Sequence, residues 1–314
     1  MEPLDDLFKS EGWDKKFPQG LIDLLSSKGH IWSVPVNIHR ANVLWYIPAN
    51  LKKWGVDVPK TWDEFFKTAD ALKAKGVTAI AIGPSWTQVH LFETVLLSTL
   101  GPDDYVGLWQ GKVKFTDDRV KAAFTTYGKI LDYANKDMDS LGDWVPAAQL
   151  LVDGKAAFQV MGDWEAGWFK AVKKMEPTTG FGWSAAPGTD GSFDMLSDSF
   201  GLPKGAPDRD NTIAWLKLLG SVAGQDAFNP LKGSIPARID ADVTNTKLYN
   251  AYSQSAAVEW AKDKIVPSLW HGAAAPDSFK NDFVTVLQVF AAQRDADAAV
   301  AASQGLADLS GIGK

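Results

Sequence analysis

The sequence predicts an α/β protein. Short apolar or alternating runs, read as strands, take turns with amphipathic stretches, read as helices, and that order is the signature of βαβ units. The 314 residues are about two domains' worth at roughly 150 residues each. An apolar fraction of 46% is enough to fill a sizeable core.

Taken in order, residues 31–47 read as two extended stretches separated by a polar cluster at 37–42. Val34, Val36 and Ile38 alternate there with Pro35, Asn37 and His39, the pattern of a half-buried strand. Thr61 and Glu64 have capping-box spacing ahead of Phe65, Phe66, Ala69 and Leu72, and Gly76 closes that helix. A buried strand is predicted over 77–82, a helix over 88–100, and another from Thr116 to about Lys136 with acids in its first turn. A shorter helix over 144–152 ends before Gly154. A strand over 155–161 follows, and 162–164 turn into a helix that reaches about Lys174. Residues 181–203 are strand-like and broken by glycines. A helix over 210–221 buries Ile213, Leu216 and Leu219, and 228–238 are too rich in Pro and Gly for helix. From about Asn245 the chain reads as mostly helical, with an amphipathic run over 277–294. Two α/β domains leave a cleft between them, the usual place for a ligand.

Composition excludes several functions. The net charge of −6 and the absence of long Lys/Arg runs argue against nucleic acid as a partner. The longest apolar runs, at 78–83 and 95–100, fall far short of the ~18 residues a membrane span needs. With no cysteine there is no thiol chemistry. The four histidines, His30, His39, His90 and His271, fit no metal motif, so neither metal nor cofactor is predicted. No GxSxG, GxGxxG or P-loop occurs. A glycoside hydrolase needs only a carboxylate pair, and 38 acidic residues leave that alternative open.

The 14 tryptophans stand out. An indole offers a flat apolar face with a polar edge, which suits the C–H face and hydroxyl rim of a sugar. Trp144 and Trp164 each follow a Gly-Asp pair, Gly142-Asp143 and Gly162-Asp163, where a loop meets another element. The plainer reading stands beside this one. Trp45, Trp62, Trp183 and Trp215 are expected in the core, and Asp143 and Asp163 serve as helix caps. Lys232 would then be a solvated loop lysine, His39 a buried histidine bonded to backbone, His90 a packing residue and His30 a surface one.

VPVNIHR (34–40), Pro59-Lys60-Thr61-Trp62-Asp63-Glu64, DGKAAFQVMGDWEAG (153–167), LSDSFGLPKGA (196–206) and FNPLKGS (228–234) together resemble the solute-binding proteins of carbohydrate ABC importers, closest to the glucose/galactose-binding branch. The resemblance covers essentially the whole chain. It implies a two-lobed periplasmic-binding-protein fold of the maltose-binding-protein type, with lobe one at 1–34 and 198–237 and lobe two at 35–197 and 238–314. It implies a non-enzymatic, monomeric protein, periplasmic or on the cell surface, that closes about a hinge on a glucose- or galactose-like monosaccharide and delivers it to permease subunits. By position, Trp144 and Trp164 would cover ring faces, Asp198 would accept from hydroxyls, and Lys232 and His271 would donate. His39 would lie close to the cleft, with Trp86 and Gln88 as further contacts. Family members begin with a signal peptide and a strand–helix–strand run that carries further sugar contacts. Met1-Glu2-Pro3-Leu4-Asp5-Asp6 has neither a basic n-region nor an apolar h-region and aligns shortly before the first crossing. The first lobe is therefore expected to be incomplete, and the chain alone to bind sugar weakly or not at all.

Overall fold

A computed structural model describes residues 1–313. The chain divides into two compact units, and each is assembled from separated stretches. The first holds Met1–Arg40, Asp163–Lys174 and Leu196–Ala261; the second holds Ala41–Gly162, Met175–Met195 and Lys262–Lys314. These units are drawn differently from the expected lobes. Residues 35–40, 163–174, 196–197 and 238–261, expected in the second lobe, pack with the first unit.

In the first unit, Phe8, Trp13 and Phe17 form an aromatic nucleus, with Phe8 and Trp13 meeting edge to face at 5.3 Å. A side chain at Gly220 would collide with the Trp13 indole, so the end of helix Arg209–Gly220 can close on that ring only as glycine. Strand Ser33–Pro35 pairs antiparallel with Ser199–Gly201, Val34 lying opposite Phe200. The alternation at 34–39 does not mark a half-buried strand, because Val34, Val36 and Ile38 are buried and so are Asn37 and His39.

The helix Val222–Lys232 overturns the loop expected at 228–238. Pro230 lies in its last turn and removes one backbone hydrogen bond. Side-chain amides tie the same turns to the neighbouring strand. Gln225 donates to the carbonyl oxygens of Pro35 and Leu219, and Asn229 to those of Val36 and Gln225. Gly233, at φ 93°, ends the helix. Helix Arg209–Gly220 buries Leu216 and Leu219 but leaves Ile213 only partly covered. Trp215, expected in the core, is 52% exposed.

The second unit is built on a four-stranded sheet in the spatial order Thr78–Ile80, Ala156–Met161, Val43–Tyr46, Gly182–Ala185. The first pair is parallel and the other two antiparallel. Trp45 faces Gln159 on one side and Trp183 on the other, and its buried indole N–H donates to the Met161 carbonyl. Trp45 and Trp62 are core, as expected, whereas Trp183 is half-buried. Helix Trp62–Lys73 starts as its sequence requires: Thr61 accepts from the Glu64 amide, and the Glu64 carboxylate accepts from the Lys60 amide.

The helix Trp86–Leu100 is buried almost all round, with Gln88, His90, Glu93 and Thr94 among its covered residues. It packs on Asp118–Leu131, where Phe92 and Phe124 meet at 4.4 Å, and on Asp277–Gln293, which contributes Phe283. A strand the sequence reading missed, Lys264–Pro267, pairs parallel with Ser192–Leu196 in the region expected to be helical. No described helix is long and apolar enough to cross a membrane.

Candidate functional site

The first unit gathers Asn37, His39, Asp163, Trp164, Asp198 and Lys232 into one constellation. The Asn37 side chain grips Asp198 twice, donating to its carboxylate at 2.9 Å and accepting from its backbone amide at 2.7 Å. The Ser197 hydroxyl donates to the Asn37 carbonyl and the Val36 amide to that of Asp198, which fixes both chains. His39 Nδ1 donates to the Asp163 carboxylate, whose other oxygen accepts from the Arg40 amide. His39 Nε2 lies 3.0 Å from the Asn37 amide nitrogen and 3.3 Å from Asp198 Oδ2. A neutral ring accepts from Asn37 there, and a charged ring donates to Asp198.

Asp163 was expected to cap the helix Trp164–Ala171, but its side chain makes no cap hydrogen bond and serves His39 and Arg40 instead. Its carboxylate is buried, and a buried carboxylate takes the strongest donors within reach. His39 likewise bonds to side chains rather than to backbone. Burial works against charge on His39, but the Asp163 carboxylate and then Asp198 more than offset it, and the imidazole titrates above its usual value. Burial would raise the Asp198 pKa, but His39, Asn37 and Lys232 hold it well below the carboxylate range. Lys232 Nζ stands 3.4 Å from Asp198 Oδ2. Even so, the side chains of Asp198 and Lys232 are 37% and 39% exposed.

The half-buried Trp164 meets His39 edge-on, with ring centroids 5.4 Å apart. Its helix approaches the end of Val222–Lys232 through two glycines. A Cβ on Gly167 would lie 2.5 Å from the Lys232 carbonyl oxygen and 2.6 Å from that of Leu231, and one on Gly233 would strike the Asp163 carbonyl. Glycine at both places brings Trp164 and Lys232 to one constellation.

The second unit holds the remaining predicted residues. Asp143 caps the helix Trp144–Val152, accepting from the Trp144 amide at 2.8 Å, and also accepts from the Trp86 indole at 3.0 Å. Trp86 stacks on Trp270, with centroids 6.2 Å apart and planes 17° from parallel, and lies 6.2 Å from His271. Ser85, just before it, is held at φ 38°, a strained backbone for a residue with a side chain. Gln88 is buried, its amide donating to Asp139 at 2.7 Å. Trp144, Trp86 and His271 are half-buried.

Behind His271, Ser268 Oγ bonds both His271 Nδ1 and Glu93, and Glu93 also accepts from the Trp270 amide. Sequence reasoning placed no function on Asn37, Glu93, Asp139 or Ser268. The one local signal for Asn37 was its place in the polar cluster beside His39.

A family model described as bacterial extracellular solute-binding protein matches residues 1–226. An uncharacterized ABC transporter extracellular-binding protein of Pyrococcus horikoshii is 34% identical over 305 residues, 95% of this chain and 67% of that protein. A probable sugar-binding periplasmic protein of Mesorhizobium japonicum is 34% identical over 298 residues, 92% of this chain and 70% of that protein. Among solved structures, a bacterial solute receptor described as exclusively preferring β-D-galactopyranose superposes with a TM-score of 0.83 at 20% identity, covering 100% of this chain and 80% of the receptor. The fold is thus the α/β fold of the maltose-binding-protein-like receptors. The chain belongs to the bacterial extracellular solute-binding protein family.

Proposed function

We propose that this protein is the substrate-binding component of an ABC sugar importer and captures a glucose- or galactose-like monosaccharide. One observation carries the reading. Asp198 is a carboxylate kept ionised by His39, Asn37 and Lys232, yet it remains more than a third open to solvent in the constellation that includes a half-buried indole. A fixed, charged acceptor with a neighbouring ammonium can take a pair of sugar hydroxyls, and an aromatic ring can take the C–H face of the sugar. None of these groups needs to exchange a proton with the ligand, which fits capture rather than cleavage. Trp144, Trp86, Gln88 and His271 of the second unit are proposed contacts on the strength of family resemblance. Hinge closure on the bound sugar, delivery to permease subunits and a periplasmic or cell-surface location belong to the same proposal. A relative named a xylose/arabinose-binding protein, from Haloferax volcanii, makes pentoses the natural competitors to test.

The test is a titration of intrinsic tryptophan fluorescence with glucose, galactose, xylose and arabinose. Binding is read as a ratio between sugars and between variants, so a weak absolute affinity does not blunt it. Hydrogen bonds to a charged group contribute about 1.5–3 kcal/mol, so Asp198→Asn weakens hexose binding roughly 10- to 100-fold, and Trp164→Ala also weakens it. Nitrophenyl glycosides remain intact. Hexose binding that neither variant changes, or nitrophenol released at catalytic turnover, overturns the proposal.

A further inference from the structure

We propose that His90, Glu93 and His271, in the second unit, form a three-ligand site for a divalent transition-metal ion of the zinc type. One ligating atom from each side chain lies within 4.8 Å of the others. His90 and Glu93 come from successive turns of the helix Trp86–Leu100, with His90 Nδ1 3.7 Å from Glu93 Oε1. Zinc bonds of about 2.0–2.2 Å place neighbouring tetrahedral ligand atoms about 3.3 Å apart. That pair is a few tenths of an ångström from bridging distance, and the half-buried His271 offers the third ligand atom within 4.8 Å of both.

The hydrogen bonds around the site fix both imidazoles for this task. His90 Nε2 lies 3.0 Å from the carbonyl oxygen of Ala41, which can only accept, so Nε2 carries the ring proton and Nδ1 the lone pair. Ser268 Oγ has a single proton, which it donates to Glu93 at 2.9 Å; it therefore accepts from His271 Nδ1 at 2.8 Å and leaves the lone pair on Nε2. A protein oxygen behind each histidine, holding the tautomer and orienting the ring, is the arrangement metal-binding imidazoles require. Glu93 is oriented in the same way by Ser268 and by the Trp270 amide. Two nitrogens and one carboxylate suit zinc better than magnesium or calcium, and the fourth position is left for water.

This inference does not rest on sugar binding, and zinc alone is the probe. The untagged full chain, stripped with a chelator, is titrated with zinc by calorimetry and with cobalt(II) by visible absorption. One zinc per chain is expected, together with the intense visible bands of tetrahedral cobalt. His271→Asn, in a half-buried loop, and Glu93→Gln each weaken zinc binding at least tenfold and abolish the bands. His30→Asn, an exposed histidine of the first unit, changes neither. Circular dichroism checks that the variants fold, and His271→Asn decides the matter should Glu93→Gln fail to. Zinc affinity equal in wild type and His271→Asn, or the absence of tetrahedral cobalt bands, overturns the site. Either result is read independently of any sugar titration.

Discussion

Replacing Gly167 by alanine tests how the Trp164 constellation is assembled. The added Cβ would sit 2.5–2.6 Å from two backbone carbonyl oxygens at the end of Val222–Lys232, where real Cβ atoms essentially never come within 3.0 Å. Backbone cannot swing aside as a long side chain can, so one helix must move. Overpacking of this kind costs about 1–3 kcal/mol, and the better helix propensity of alanine returns at most about 1 kcal/mol. With two backbone atoms struck, the upper part of that range, about 2–3 kcal/mol, applies, and the net expectation is a loss of about 1–2 kcal/mol, or a Tm lower by roughly 2–8 °C. Gly305 is the control. It lies exposed in helix Ala296–Ser310 with nothing within 4 Å of its would-be Cβ, so Gly305→Ala gains about 0.5–1 kcal/mol. Urea denaturation of the three proteins gives the ledger directly, and the sugar titration shows whether Trp164 has been displaced from Lys232. A Gly167→Ala protein as stable as wild type would refute the reasoning, because the two helices would then have slack the geometry denies.

Two buried groups of the first unit make its stability fall as pH rises. His39 has a folded pKa above its unfolded value of about 6.5, so its contribution is complete below that value and is lost as pH climbs through the folded pKa. Denaturation midpoints therefore decline on the alkaline side of about pH 6.5, and His39→Gln flattens that limb; an unchanged slope in the variant would dismiss the pairing. Glu165 is fully buried with neither carboxyl oxygen hydrogen-bonded, and desolvation raises its pKa well above the usual range. The fold holds it protonated while the unfolded chain ionises it, so stability also drains away above about pH 4.5. Glu165→Leu is expected to stabilise the protein at pH 8 by about 1–3 kcal/mol and by less at pH 5; equal effects at both pH values would show that the site is not dry.

The parts of the fold legible in the sequence were those fixed by local chemistry. The helix over 144–152 appears as Trp144–Val152 because Asp143 caps it and Gly154 follows it; the strand at 156–161 follows for the same local reasons. Local rules failed where partners distant in sequence decide the outcome. Pro230 argued for a loop, but Asn229 and Gln225 anchor that helix to carbonyls roughly 190 residues earlier in the chain. Asp163 has the sequence position of a cap and was claimed by His39, 124 residues away. The candidate site was legible by residue type and family resemblance, so Trp164, Asp198, Lys232 and His39 could be named. Asn37 could not, because an asparagine that clamps an aspartate 161 positions later leaves no periodic trace. Glu93, inside a helix buried almost all round, and Ser268, just after the strand Lys264–Pro267, were hidden in the same way, 175 residues apart.

Each compact unit is stitched from three discontinuous stretches, the first completed by Leu196–Ala261 and the second only by residues from Lys262 onward. That interleaving dictates an order of events on the ribosome. The first unit cannot finish folding until about five-sixths of the chain has been translated, while most of the second unit's sheet is already outside the exit tunnel awaiting its last helices. A chain cut after Ala261 would thus hold every stretch of the first unit and leave the second without its last one. No contiguous stretch of the chain contains either unit alone.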